Sequence, residues 1–272
     1  SNINSDGMTI DLKSAATKYH HGAPSNSSVL RNGAQSLQLS AEVGIRSHRI
    51  RIVSGEPTAP VIVVNTHQVL SSTDETTGKT TSIDNFGSWN LYGVGFENAG
   101  DLGGKYGAIN FLGLTSKNLQ AIYPSEVVAC TIWNSKGPGL VVNNSMRVTF
   151  SKNFVYNSSD NAVRINNGNE LTIAQNLIVS KQPASSNLPA AFYMTPVNVQ
   201  TGTYTISIQN NIVVGHQNIS YLVQAARCSS TSMFLSNTAH SGNIGWLAIA
   251  GPTDCALITQ FKAYKMQEGI IA

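Results

Sequence analysis

The chain has 272 residues, a net charge of +3 at neutral pH, 41% apolar residues and only 11% charged residues. Average globular proteins carry about 25% charged residues, and long surface helices need charged outer faces, so the composition argues against a helical protein. The Lys and Arg residues form no stripe interleaved with aromatic residues, which argues against a nucleic-acid-binding protein.

Residues 1–35 have no regular pattern, and we expect an irregular N-terminal segment there. Strand-like alternation begins at Leu37–Val43 and continues at His48–Val53. Ser71–Thr81 is predicted to be a polar loop, and the alternation of Trp89–Phe96 predicts one strand. No apolar run approaches about 18 residues, so no membrane span is expected within this stretch.

Five short segments from residue 130 onwards have one pattern, a polar or small residue followed by two or three mostly apolar residues and a polar break. They begin at Cys130, Asn153, Asn176, Asn211 and Asn237. The successive intervals are 23, 23, 35 and 26 residues. A recurrence near 23, stretched by loops of variable length, is typical of a solenoid.

Three short strands per repeat describe a right-handed parallel β-helix, which we predict for residues 36–272 of what we expect to be a larger protein. We expect the recurring Asn153, Asn176, Asn211 and Asn237 to lie at one corner, in the left-handed conformation, with each amide bonded to the next coil. This role is scaffolding rather than catalysis. A β-sandwich, the competing architecture, does not explain the period.

The cysteines and the glycosylation sequons favour an extracellular protein. Cys228 and Cys255, in the loop-rich C-terminal part, are predicted to form a disulfide in an oxidising compartment, whereas Cys130 is predicted to be a small core residue. Four sequons are predicted as glycosylation sites, the alternative being unmodified asparagines in turns. The sequons begin at Asn26, Asn143, Asn157 and Asn218.

The segment Glu42–Ile45, within Leu39–Ile50, resembles the segment before the parallel β-helix of the fibrocystin family and of the related cell-surface hyaluronidases. Gly93–Gly100, Cys130–Ile132 and Phe261–Lys265 resemble later segments of the same family. The resemblance covers about residues 38–272. It implies a parallel β-helix within a large cell-surface or ciliary-coat protein, with a membrane anchor elsewhere.

The chain departs from the hyaluronidase branch at the residues that carry its chemistry. That branch has two alternating histidines where this chain has Asn110 and Leu112, and a further histidine where it has Asn143. Asn cannot act as a general base, and Leu cannot bind a metal. The resemblance therefore implies that the hyaluronan-cleaving machinery is largely missing.

Other titratable residues give only scattered candidates, and neither a metal site, a cofactor nor a catalytic group is predicted. Asp160 and Arg164 are expected to form a surface ion pair. His216 and His240 fall at similar places in adjacent coils and are expected to stack. Among the acidic residues, only Glu97 and Glu126 look equivalent at one-coil spacing. The candidate ligand-binding residues are Asn110, Asp160, Arg164, His216 and His240.

Three functional hypotheses follow from these observations. The leading one is a non-enzymatic extracellular segment of a cell-surface or ciliary protein, which mediates adhesion or binds a glycan or a protein. The alternative is an extracellular polysaccharide-degrading enzyme, hyaluronidase-like or lyase-like. The third is a spacer whose function is its rigidity.

Overall fold

The structure, a computed structural model of the chain, describes the residues that follow; every statement below refers to them. They are residues 2–3, 10–11, 29–32, 35–38, 44, 48–55, 61–114, 122–180, 190–195, 205–224, 226–227, 233–249, 254–255 and 257–271.

The chain divides into two compact units, Ser1–Gly44 and Ile45–Ala272. The first unit contains two short antiparallel strand pairs. They are β1 (Asn2–Ile3) with β2 (Ile10–Asp11), and β3 (Val29–Asn32) with β4 (Gln35–Gln38). The predicted boundary between an irregular N-terminal segment and the β-helix, placed between residues 35 and 36, stays a prediction.

The second unit contains strands β5 to β26. In chain order, they are β5 (Ile50–Val53), β6 (Val63–Thr73), β7 (Thr80–Phe86), β8 (Asn90–Tyr92), β9 (Val94–Glu97), β10 (Ile109–Leu112), β11 (Ser125–Val128), β12 (Thr131–Trp133), β13 (Leu140–Ser151), β14 (Phe154–Tyr156), β15 (Val163–Ala174), β16 (Leu177–Val179), β17 (Ala190–Thr195), β18 (Ile206–Gln209), β19 (Ile212–Val214), β20 (Ile219–Gln224), β21 (Ala226–Arg227), β22 (Met233–Leu235), β23 (Thr238–Ile249), β24 (Asp254–Cys255), β25 (Ile258–Thr259) and β26 (Lys262–Ile271).

The strands of successive coils pair in parallel and form three sheets. The first sheet contains β5, β9, β12, β14, β16, β19 and the first parts of β23 and β26. The second contains β6, β10, the first parts of β13 and β15, then β17, β20 and the second parts of β23 and β26. The third contains β8, β11, the second parts of β13 and β15, then β18, β22 and β25. This topology confirms the predicted right-handed parallel β-helix.

The described residues contain no helix that is long and apolar enough to span a bilayer.

The core is a stack of inward side chains, because alternate residues of every strand point to the axis. In the second sheet, Phe192, Tyr221 and Trp246 occupy equivalent positions of successive coils. Their ring centroids are 5.7 and 5.0 Å apart along the stack, and all three side chains are fully buried. Burial raises the pKa of the Tyr221 hydroxyl, which donates a hydrogen bond to the carbonyl oxygen of Asn211.

Four buried asparagines form a ladder at the corner between the third and first sheets. The main-chain N–H and the Nδ2 of Asn153 both donate to Oδ1 of Asn176, at 2.9 and 3.0 Å. The same two bonds join Asn176 to Asn211, and Asn211 to Asn237. Each Nδ2 also donates to a carbonyl oxygen of the preceding coil, which for Asn153 is that of Val127 at 3.0 Å. The predicted amide bonding between coils is confirmed.

Cys130 forms the first rung of this ladder. Its N–H donates to Oδ1 of Asn153 at 2.8 Å, and its Sγ lies 3.4 Å from the N–H of Val94, which donates to it. The side chain is buried, as predicted, and burial raises the pKa of the thiol. The thiol therefore takes the place of an amide where the ladder begins.

The prediction that the ladder asparagines adopt the left-handed conformation was wrong. The residue before each one has the positive φ, for example 56° at Lys152 and 57° at Gln175. One residue in the left-handed conformation is enough to change the direction of the chain between two sheets. The side chain of the asparagine that follows points inward, where its amide bonds to the main chain of an adjacent coil.

Two predicted elements near the N-terminal end of the solenoid also differ. The predicted strand Trp89–Phe96 is broken at Gly93, whose φ of 61° forms a corner between β8 and β9. The predicted loop Ser71–Thr81 is shorter in the structure, because β6 continues to Thr73 and β7 begins at Thr80, which leaves residues 74–79 as the turn of a β-hairpin. Serine and threonine suit turns, but Thr also favours strands, and here the strand preference prevails.

The ladder predicts a specific loss of stability. Asn176→Ala leaves the N–H and Nδ2 of Asn153 without their acceptor and removes the donor to the carbonyl oxygen of Phe150. Because these groups are buried, we expect the free energy of unfolding to fall by about 2–4 kcal/mol, measured by urea denaturation followed by circular dichroism. Asn85→Ala, at an exposed position of β7, is the control and should change it by less than about 0.5 kcal/mol. Equal effects of the two substitutions would contradict the role of the ladder.

Candidate functional site

Asn110, where the resemblance places a histidine, is a structural residue. It lies on β10 and is fully buried. Its Oδ1 accepts a hydrogen bond from the N–H of Gly107 at 2.7 Å. Its Nδ2 donates to the carbonyl oxygens of Gly107 and Val63, at 2.8 and 3.1 Å. Both amide hydrogens are used in this way, so Asn110 fastens the glycine-rich segment 98–107 against the second sheet.

Asp160 and Arg164 form the predicted ion pair, but the pair is largely buried rather than on the surface. Their side chains are 5% and 16% exposed. Arg164 also donates through Nη1 to the carbonyl oxygen of Gly104 at 2.6 Å, and through Nε to Oδ1 of Asn161 at 3.0 Å. A Cβ on Gly104 would lie 2.7 Å from Oδ2 of Asp160, so the backbone approaches the carboxylate closely. The glycine-rich segment covers the pair and removes it from solvent.

The two histidine candidates are not equivalent, and the prediction that they stack was wrong. In the register of β19 and β23, His240 pairs with Val214, two residues before His216. The His240 ring instead stacks on Tyr264, with a centroid distance of 4.5 Å and an interplanar angle of 12°. His216 is buried in the turn after β19, where its Nδ1 accepts a hydrogen bond from the N–H of Asn218. Burial lowers the pKa of His216 to about 4, so the ring is neutral at physiological pH.

The structure brings three of the five candidates to the same segment and leaves two apart. Asn110 and Arg164 occupy the same outward row of the second sheet, two coils apart, and both form hydrogen bonds with the glycine-rich segment, and Asp160 lies close to that segment at Gly104. Their donors and acceptors are occupied by the protein itself. These residues hold the glycine-rich segment 98–107 against the second sheet.

Three of the predicted glycosylation asparagines are described and are half-buried. Asn143 lies on β13, and Asn218 immediately before β20. Asn157 follows β14, and its Nδ2 donates to Oδ1 of Asn134 in the preceding coil at 3.0 Å. The fourth, Asn26, lies outside the described residues. Glycosylation stays a prediction.

The predicted disulfide stays a prediction because Cys228 lies outside the described residues. For Cys255 only the main chain is described. It belongs to β24, which pairs antiparallel with β21, so that Cys255 lies opposite Ala226.

The outward face of the third sheet carries no motif that distinguishes it in the sequence. The register aligns one outward residue from each of five successive strands, all of them polar. We call this row the polar ladder; it consists of Asn90, Glu126, Thr149, Thr172 and Ser207. Asn90 is exposed and the other four are half-buried. Glu97, predicted to be equivalent to Glu126, instead lies in the first sheet and pairs with Arg51, so that equivalence was wrong.

An open cleft of about 460 Å³ lies beside the polar ladder, lined by Pro124, Arg147, Thr149 and Glu170. Nε of Arg147 donates to Oε2 of Glu170 in the next coil at 2.9 Å, and its Nη1 donates to the carbonyl oxygen of Ile122 at 3.0 Å. The side chains of Arg147 and Glu170 remain 26% and 35% exposed, so both keep access to solvent. The cleft thus combines a guanidinium, a carboxylate and a hydroxyl.

One ion pair and one further carboxylate lie around the cleft. Arg147 and Glu170 neutralise each other's charge, whereas Glu126 keeps its charge and accepts a hydrogen bond from the hydroxyl of Tyr92, which raises the pKa of that tyrosine. Pro124 supplies an apolar wall, and the preceding residue, Tyr123, is 69% exposed. This arrangement suits a neutral polar ligand with several hydroxyl groups, because such a ligand both donates and accepts hydrogen bonds.

The repeat length contains the signal that identifies this site. Arg147 and Glu170 are 23 residues apart, the interval of the asparagine ladder. Thr149 and Thr172 pair in register at the same interval. Extending the repeat from the apolar segments to the polar positions between them would have placed these side chains on one face.

Comparison with known proteins identifies related sequences. The family model described as a right-handed beta helix region matches residues 117–257. The chain is 27% identical over 252 residues to Fibrocystin-L of Mus musculus, covering 85% of this chain and 6% of that protein. It is 22% identical over 233 residues to Fibrocystin of Mus musculus, covering 85% of this chain and 5% of that protein. The chain thus corresponds to only a small part of the curated relatives it matches. No solved structure matches it.

The burial of His216 predicts a pH-dependent stability. The unfolded chain binds a proton at this residue near pH 6.5, but the folded chain only near pH 4, so acidification favours unfolding. The free energy of unfolding is not reduced by His216 above about pH 6.5, and it falls as the pH drops towards 4. Relative to His216→Asn, we expect the wild type to lose about 3 kcal/mol across this range, measured by urea denaturation at a series of pH values. Parallel curves for the two proteins, or an imidazole resonance of His216 that titrates near pH 6.5, would contradict this prediction.

Proposed function

The chain belongs to the right-handed β-helix family, and from this premise we propose that it is a non-enzymatic, glycan-binding segment of a large cell-surface protein. The observation that carries the proposal is the Arg147–Glu170 pair, which lies at an open cleft beside a row of hydroxyl groups. The similarity to Fibrocystin-L and Fibrocystin over 85% of the chain supports a cell-surface or ciliary location.

The residues at the positions where the hyaluronidase branch has histidines support binding of a glycan without its cleavage. Asn110 uses its amide to hold Gly107, and Leu112 has no group that transfers a proton or binds a metal. Asp160 is committed to Arg164 beneath the glycine-rich segment. Of Asn110, Leu112 and Asp160, only Asp160 is ionisable, and its side chain is 5% exposed and paired with Arg164.

The geometry of the polar ladder supports an extended, hydroxyl-rich ligand. Adjacent coils lie about 4.8 Å apart, so Glu126, Thr149 and Thr172 present oxygen atoms at regular intervals along the axis. A linear glycan could contact successive rungs with successive units. Arg147 and Glu170 would bind adjacent hydroxyls, because a fixed guanidinium–carboxylate pair offers donors and acceptors together.

A glycan array with folded wild-type protein tests binding, and a depolymerisation assay on hyaluronan and related glycans, with and without calcium, tests catalysis. We expect at least one glycan to bind and none to be cleaved. Robust turnover would overturn the non-enzymatic proposal and favour a polysaccharide-degrading enzyme. No binding by protein that is folded by circular dichroism would overturn the glycan proposal and favour a spacer.

Two substitutions in the cleft locate the site. Thr149→Val removes one hydroxyl while keeping a β-branched side chain, and Glu170→Gln removes the carboxylate charge. We expect each to weaken binding of the array hit about tenfold, equivalent to about 1.4 kcal/mol, measured by isothermal titration calorimetry. Thr81→Val, at an exposed position of β7, is the matched control and should bind as the wild type does. Unchanged affinity in both cleft variants would place the ligand elsewhere.

The proposed extracellular location predicts modification of the sequons and of the cysteine pair. In protein secreted from mammalian cells, we expect glycans at one or more of Asn26, Asn143, Asn157 and Asn218, and a disulfide between Cys228 and Cys255. Peptide mass spectrometry, with and without reduction and glycosidase treatment, measures both. Secreted protein with four bare sequons and free thiols at both cysteines would count against an extracellular location.

A further inference from the structure

A β-hairpin arm leaves the solenoid between the second and third sheets of the first coil. Strand β6 pairs with β10 only at Val63–Thr66 and then continues to Thr73, paired antiparallel with β7. All six residues of Gln68–Thr73 are exposed, with exposed fractions of 50% for Val69 and 48% for Leu70. At about 3.4 Å per residue, the part beyond Thr66 extends roughly 24 Å.

The arm is closed at its base and at its tip. At the base, the rings of His67 and Phe86 stack with a centroid distance of 4.6 Å. At the tip, Oδ1 of Asp74 accepts hydrogen bonds from the N–H groups of Thr76 and Thr77, at 2.8 and 3.2 Å. These contacts fix the ribbon at its two ends, and Gln68–Ser72 between them pairs continuously with β7.

The edge of β6 lacks the features that normally prevent pairing between chains. Exposed edge strands usually carry a charge, a proline or a bulge. Over its 11 residues β6 has no charged residue and no proline, and its register with β7 runs without a bulge from His67 to Thr73. Among the residues that the structure describes, Gln68–Thr73 pairs with no strand other than β7.

We propose that this edge pairs with the same edge of a second copy of the chain. Antiparallel pairing about a two-fold axis at Val69 would place Val69 opposite Val69, and Gln68 opposite Leu70 of the second copy. The two arms would form a four-stranded antiparallel sheet with β7 of each copy on the outside. Two-stranded ribbons are marginally stable in water, whereas sheets of three or more strands persist, so the pairing stabilises both arms.

The composition of the strand favours a second copy over a different peptide. A self-complementary contact places each residue opposite its symmetry-related position, and any charge near the axis would meet its own kind. The uncharged sequence of β6 avoids that repulsion. The central Val69 gives an apolar pair at the axis, where the two side chains approach most closely.

Analytical ultracentrifugation of the 272-residue chain and of three variants tests the proposal. We expect the wild type to dimerise. Val69→Lys and Val69→Glu each place like charges opposite one another at the axis and should weaken dimerisation at least tenfold. An equimolar mixture of the two should restore it, because the ammonium and carboxylate groups then face each other. Thr81→Lys adds a charge on β7, away from the contact, and should dimerise as the wild type does.

The sedimentation results distinguish pairing through β6 from its alternatives. Loss of the dimer in both Val69 variants, its recovery in their mixture and its retention in the Thr81 variant would support pairing through β6. A monomeric wild type would overturn the proposal, and so would dimers that persist in both Val69 variants or that fail to return in their mixture. Circular dichroism on each variant establishes that the solenoid is folded.

Discussion

The inward amides at one corner constrain the rest of the solenoid, because each must bond to the neighbouring coils. Asn153, Asn176 and Asn211 bond to the coil before and the coil after, and Asn237, the last of the row, bonds to the coil before it. They do so although the intervals between them range from 23 to 35 residues. The longer interval adds its residues between β16 and β18, away from the corner. The length of a coil can vary as long as the next asparagine returns to its place in the ladder. The residue type is therefore constrained at the ladder positions, whereas the number of residues between them can change.

The outer surfaces of the second and third sheets differ in their chemistry. The outward row of the second sheet is covered between Asn110 and Arg164, which hold the glycine-rich segment over it. The outward row of the third sheet is open and polar, and a cleft lies beside it. The arm formed by β6 and β7 interrupts a coil without disturbing the ladder. Binding and self-association would therefore use surfaces that the core does not constrain.

The sequence predicted best those residues whose side chains point to the axis. The ladder asparagines recur visibly because burial leaves few alternatives to an amide at that place. The corner residues before them, such as Ala129, Lys152 and Gln175, share only a backbone conformation, so their role could not be recognised from residue type. Arg147 and Glu170 follow the same 23-residue interval but were missed because the repeat was identified from apolar segments alone. The two histidines lie at different distances from the ladder, five residues after Asn211 and three residues after Asn237, so they do not fall in register although both lie near strand ends.

The stacking of coils also has a mechanical consequence. Each coil of about 23 residues adds only about 4.8 Å to the length of the solenoid, because its chain runs around the axis rather than along it. The same residues, pulled straight, would span roughly 75 Å. Tension applied between the two ends would therefore unwind coils from an end one after another, each releasing on the order of 70 Å of slack. Such a segment resists bending while intact and lengthens in discrete steps when overloaded.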